Sequence, residues 1–202
     1  MRLKPVVLAA ALTLVLTPGG GLVAAERPSF TVERRVSGLE VRQYRPYVVA
    51  QTQVEGSMES AGNEGFRRLA GYIFGGNGAG QKIAMTAPVA MEPLPEETRV
   101  TPKGTGFLLQ FMMPSGFTLA SLPAPKDGRV TFAEVPGRRM AALAYRGNWS
   151  EARYREHLEK LNAALASEGL KAKGGPVWAR YDPPFMPGFL RTNEILVELQ
   201  TP

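Results

Sequence analysis

Two residue counts decide most of the chemistry open to this chain. Its 202 residues contain no cysteine and one histidine, His157. Disulfides, zinc sites of the Cys/His kind, iron–sulfur clusters, CxxCH cofactor attachment and cysteine nucleophiles are therefore excluded. A hydrolase that needs an imidazole base would have to use His157. That residue falls about 60° from Tyr154 on a helical wheel, because three residues turn about 300°. It sits at the margin of an apolar stripe, where a half-exposed side chain is the commoner outcome and an axial metal ligand the sharper one.

The glycine-rich stretch Gly75-Gly76-Asn77-Gly78-Ala79-Gly80-Gln81-Lys82 invites a phosphate-loop reading and fails on detail. Gln81 separates the last glycine from Lys82, and Ile83 stands where Ser or Thr is required. The stretch also follows a helical pattern instead of opening one. No pair of carboxylates has the frame that glycosidase acid/base chemistry needs. Beyond Met1 there are seven methionines: Met58, Met85, Met91, Met112, Met113, Met140 and Met186. Their soft, unbranched side chains fill cores, and they also suit a groove that adapts to a flat aromatic ligand.

Residues 1–25 read as a secretory leader. Arg2 and Lys4 precede an apolar run from Val6 to Leu16, Pro18 and Gly19–Gly21 break it, and Val23-Ala24-Ala25 offers a cleavage site. The run is too short to span a bilayer, which takes about 20 apolar residues, and no later stretch is longer. The expectation is an exported chain, periplasmic or secreted, with no stable membrane insertion, whose mature part is one domain over 26–202. Without the leader's two cations, 24 Lys and Arg become 22 against 18 Asp and Glu, a net charge of +4. The basic residues come in pairs (Arg34-Arg35, Arg67-Arg68, Arg138-Arg139) with no run of five, so no nucleic-acid partner is expected.

The elements that must position these residues recur in order. Val36–Val54 reads as two alternating strands, and Gly56-Ser57 then supplies an N-cap. A helix follows with Phe66, Leu69, Ala70 and Ile73 on one face, stopped by Gly75–Gly78. Phe107–Met113 is an apolar run typical of a strand covered on both faces. Val130–Val135 and Met140–Tyr145 form another strand pair. Asn148 with Glu151 resembles a capping box for a second helix, whose stripe is Tyr154, Leu158, Leu161 and Leu165. Ile195, Val197 and Leu199 alternate with Glu194, Glu198 and Gln200. Val54-Glu55-Gly56 matches Tyr145-Arg146-Gly147 at an offset of 91. Two copies of a βαβ-type unit imply an α+β domain with two helices packed on a curved sheet.

Lys82-Ile83-Ala84-Met85-Thr86-Ala87-Pro88-Val89 resembles the signature of the SOUL haem-binding protein family. Further stretches match that family's pattern in order: Leu39–Tyr44, Tyr72–Asn77, Phe111–Ser115, Leu122–Pro125, Tyr181–Pro184 and Asn193-Glu194. The resemblance implies a distorted β-barrel built from two βαβ-type repeats with two flanking helices. It implies haem or a related tetrapyrrole, held non-covalently in an apolar groove with basic residues near the propionates. Carried over by position, the binding residues are Asn63, Phe66, Arg67, Ala70 and Gly71 on the first helix, with Met186 from the loop after Tyr181. Transport, buffering or scavenging is the implied role. The alternatives are an enzyme on the same scaffold, modifying a tetrapyrrole or hydrolysing a small apolar ligand, and a domain that has lost its ligand. Met85, in a strand expected after the first helix, reads as core or near-core and not as an iron ligand.

Overall fold

The computed structural model describes residues 14–16, 22–95, 105–183 and 185–200, with side chains from Ala25 onward. The expected leader falls largely outside the described residues. Within it, the backbone of β1 (Leu14–Leu16) pairs with that of β2 (Leu22–Ala24) in an antiparallel ribbon.

The body begins with β3 (Phe30–Val36), β4 (Leu39–Tyr44) and β5 (Tyr47–Glu55). Gly56 then turns the chain at a φ of 127°, a left-handed value that side chains disfavour. Ser57 accepts a hydrogen bond from the Ser60 N–H at 3.2 Å and caps α1 (Met58–Ile73), as its position after the glycine suggested. The chain continues through β6 (Val89–Pro93), β7 (Gly106–Met112), β8 (Thr131–Val135) and β9 (Arg139–Arg146). It ends with α2 (Glu151–Ser167), β10 (Ala172–Arg180) and β11 (Thr192–Leu199). Gly147 repeats the turn of Gly56, at a φ of 135°.

Nine of these strands form one sheet in the order β3-β4-β9-β11-β10-β6-β7-β5-β8, every neighbouring pair antiparallel. The sheet curls into a half-barrel, and the expected α+β class with two helices holds. Leu69 of α1 and Tyr154 and Leu161 of α2 share one core with Val41, Met91, Leu109, Trp178 and Ile195. Both helices therefore cover the same face of the sheet. Burying each such side chain is worth about 1.5–3 kcal/mol. Gly65 lets α1 approach closely, since a Cβ there would lie 2.7 Å from both Leu109 methyl carbons.

The duplicated order is real and has a twist that periodicity does not show. Reading outward from the central β10–β6 pair, β11 corresponds to β7, β9 to β5 and β4 to β8. The strands read as sequence-adjacent pairs do not form hairpins. β4 pairs with β9 and β5 with β8, so each half lends its first strand to the other.

Other readings need correction. α2 is capped by Ser150, which accepts from the Arg153 N–H at 3.3 Å, and not by Asn148. The Asn148 side chain is instead packed against Gly188 in the loop before β11. Met85 packs against the core but lies in an irregular segment, not a strand. The alternation read in β11 breaks at Glu194, which is buried.

Candidate functional site

Helical geometry decides how the first-helix residues are arranged. At 100° per residue, Phe66, Ala70, Asn63, Arg67 and Gly71 fall within an arc of about 140°. The structure leaves most of that arc uncovered: Asn63, Arg67 and Gly71 are exposed, and open space lies above Gly71, whereas Ala70 is buried at 8% exposure. Phe66 is half-buried, with its edge against Phe111 at 5.5 Å between ring centres. Arg67 is ion-paired with Glu64 one turn back, and its side chain remains 74% exposed. Its neighbour Arg68 is committed to structure, donating to the Gln53 carbonyl at 3.0 Å and to Glu64 at 2.9 Å.

One residue of this face escaped the sequence reading. Phe74, the C-cap residue of α1, falls inside the same arc and is 61% exposed. Its spacing of i+8 from Phe66, about 12 Å along the axis, was the signal. Phe66 and Phe74 thus bracket a strip floored by the buried Ala70 and the exposed Gly71, with the Arg67 side chain alongside. Phe74 is also bridged to Lys82, which is exposed and forms no ion pair among the described residues.

The loops beside this strip are held internally. Asn77 is fully buried, donates to the carbonyls of Tyr72 and Gln81, and accepts from the Gln81 N–H at 3.0 Å. A Cβ on Gly76 would lie 2.5 Å from the Gly71 carbonyl oxygen. The glycine-rich stretch is a helix terminator packed on its own helix. In the following segment, the Thr86 hydroxyl donates to the Met112 carbonyl at 2.7 Å, and the Ala87–Pro88 peptide is cis.

Met186 belongs to a different neighbourhood. Its carbonyl accepts from Arg191 Nε at 2.8 Å, and the Arg191 guanidinium stacks 4.2 Å from the Trp149 ring. Trp149 also stacks on Arg180, whose guanidinium lies beside Gly62 of α1. These contacts lead from the Met186 loop to the N-terminal part of α1, about 12 Å along the helix from Ala70. Phe185 and Phe189 of the loop are exposed. His157 is half-buried on α2, its ring stacked on Tyr145 at 3.9 Å and its Nδ1 2.8 Å from the Arg153 carbonyl. Among the described residues, its hydrogen bond and ring contact lie on α2 and β9, away from the α1 arc.

The opposite face of the sheet holds a basin of about 1210 Å³. Pockets that enclose whole small molecules run to about 300–1,000 Å³. Its floor is made of small or apolar side chains, Ala90, Met140, Ala142, Val177, Ala179 and Leu196. At its base, Arg42 donates to both Glu194 carboxylate oxygens, at 2.9 and 2.7 Å, and to Glu40 at 2.8 Å. Tyr181 donates to Glu194 at 2.6 Å. Burial weakens the Arg42 cation, but the Glu194 carboxylate more than offsets this and holds it protonated. Burial, reinforced by Glu194, pushes the Tyr181 phenol well above its ordinary range, and burial raises Tyr44 to about 12. None of the six residues expected to bind ligand lines this basin.

Known proteins place the chain on both counts, fold and family. The C-terminal domain of EcmrR superposes with a TM-score of 0.61 at 11% identity, over 81% of this chain and 98% of that one. A hydrolase from Listeria innocua gives 0.61 at 9% identity, over 83% and 94%. Identities this low show a shared fold. Heme-binding protein 1 of Xenopus laevis is 28% identical over 157 residues, 77% of this chain and 80% of its own length. The profile of the SOUL heme-binding protein family spans residues 25–198. That match covers most of the chain and includes each quoted stretch, so the chain belongs to the SOUL heme-binding protein family.

Proposed function

We propose that the protein is an exported carrier of haem or a related tetrapyrrole, held non-covalently across the outward face of α1. The bracketed strip carries this reading: Phe66 and Phe74 flank Ala70 and Gly71, a flat apolar seat of the kind a planar macrocycle covers. An exposed aromatic such as Phe74 marks an interaction surface. Arg67 and Lys82 stand beside the strip as partners for propionates. Asn63 completes the arc, and Met186 belongs to the seat only if its loop moves towards α1. The residues on the arc offer apolar contact and cations, with no imidazole or thiolate for iron. A seat of this kind supports micromolar binding, equivalent to about −8 kcal/mol.

Export is supported by where the body takes hold of the chain. The Glu26 carbonyl accepts from the Ala87 N–H at 2.9 Å, and its carboxylate accepts from the Ser115 N–H at 3.0 Å. Cleavage after Ala25 would leave these anchors intact. N-terminal sequencing of exported material should begin at Glu26, and an intact Met1 would contradict the assignment.

The function is tested by titrating residues 26–202 with haem and then recovering the ligand for mass spectrometry. Saturable binding with unchanged ligand mass is the carrier result. A modified tetrapyrrole would make the protein an enzyme.

A further inference from the structure

The two halves of the sheet are alike in topology and unlike on the face away from the helices. In the first half, the cross-strand pair Gln51–Gln110 is joined by a side-chain hydrogen bond of 2.9 Å. The matching pair in the second half is Ala142–Leu196. Gln53 of the first half is matched by Ala144. Side chains that fill and wet one half are thus replaced by alanines that hollow out the other, and the hollow is the 1210 Å³ basin. A fold needs no such asymmetry to stand.

Charge says what the hollow would take. Five arginines line it, Arg27, Arg35, Arg42, Arg138 and Arg146, against two glutamates, Glu40 and Glu194. Glu194 is consumed by Arg42, and Glu40 is shared between Arg35 and Arg42. Arg27 stacks on the Tyr181 ring at 4.7 Å. Arg146 forms no ion pair among the described residues, and the charge of Arg138 acts on the Glu92 carboxyl. The basin therefore combines an apolar floor, a base whose one deep carboxylate is already neutralised, and surplus positive charge at its edge. Low-dielectric walls strengthen the pull of that charge on an anion.

We propose that this basin is a second binding site, for an apolar molecule bearing a carboxylate, with its body over Ala142, Ala179 and Leu196 and its acid group met by Arg146 at the end of β9. The site is separate from the α1 seat, because the sheet lies between them. Its occupancy does not depend on the haem assignment.

The test uses residues 26–202 and cis-parinaric acid, a fluorescent C18 carboxylic acid, beside a C18 alcohol that competes for the same floor. The acid should bind saturably and the alcohol should displace it at least about tenfold less well, a difference of about 1.4 kcal/mol. Arg146→Gln should weaken the acid about tenfold and leave the alcohol unchanged. Ala142→Phe should block both while the haem titration is unaffected. Equal affinity for acid and alcohol, or indifference to Arg146→Gln, would overturn the proposal. So would haem displacing parinarate and losing its own band in Ala142→Phe, since the basin would then be the haem seat. Arg146 lies at the basin edge, so the proposal stays falsifiable even if Ala142→Phe fails to fold.

Discussion

Arg42 and Glu194, 152 residues apart in sequence, meet in a two-pronged ion pair at the base of the half-barrel, with hydrogen bonds of 2.9 and 2.7 Å. The contact ties β4, lent by the first half, to β11 of the second, with β9 between them. Both side chains are less than a tenth exposed. Removing one partner of such a pair strands the other charge, which costs about 3–5 kcal/mol. Replacing both by apolar residues of similar volume removes the desolvation cost as well. Urea unfolding should show Glu194→Leu strongly destabilised and Arg42→Met with Glu194→Leu restored to within about 1–2 kcal/mol of the parent. A double variant as unstable as the single one would show that the pair specifies the strand exchange itself.

The glycine-rich loop separates two readings of Gly76 and Gly78. A Cβ at Gly76 would press on helix backbone at Gly71, which cannot yield, whereas one at Gly78 meets the Ala124 carbonyl at an ordinary 3.6 Å. Gly76→Ala should cost about 1–3 kcal/mol, as overpacking does. Gly78→Ala should stay within about 0.5 kcal/mol, as surface changes do. Thermal melts of the two variants check the contrast.

Sequence periodicity located both helices and the strands with strong alternation or long apolar runs, because those patterns report one buried face. It missed β3, an edge strand that presents Glu33, Arg34 and Arg35 to solvent. It missed β6, only five residues long and closed by Pro93. In β10 the run Gly174-Gly175-Pro176 hides a bulge between Lys173 and Val177. The strand exchange and the buried Glu194 were illegible for a different reason. A carboxylate among alternating apolar residues reads as solvent-facing unless its cation, here Arg42, is known to lie across the sheet. On α1 the arc was legible except for Phe74, which sits at the cap where helical counting is usually stopped.

On the face away from the helices, the first half of the sheet carries a half-buried acid, Glu92. Burial raises the Glu92 carboxyl, opposed only in part by the charge of Arg138. A folded-state pKa above the unfolded value means a contribution that is fully favourable below about 4.5 and is lost as pH rises through the raised value. At pH 7, well above the unfolded value, this carboxyl therefore weighs against the fold. Glu92→Gln should raise the unfolding midpoint at pH 7 and leave it nearly unchanged at pH 4. A gain of the same size at both pH values would mean that packing, not ionisation, is responsible.

The seat on α1 is tested most directly by one haem titration, read at the Soret band, across the parent, Phe66→Ala, Phe74→Ala and His157→Ala. Phe74 is mostly solvent-exposed, so its loss leaves the fold intact and reports on the ligand alone. Each phenylalanine removed should weaken binding by about 1–3 kcal/mol, the worth of a large apolar wall. His157→Ala should change affinity by less than about threefold, or ~0.7 kcal/mol, because the ring is stacked on Tyr145 and lies on the other helix. Loss of the band in His157→Ala, with both phenylalanine variants unchanged, would contradict the account and move the site to α2.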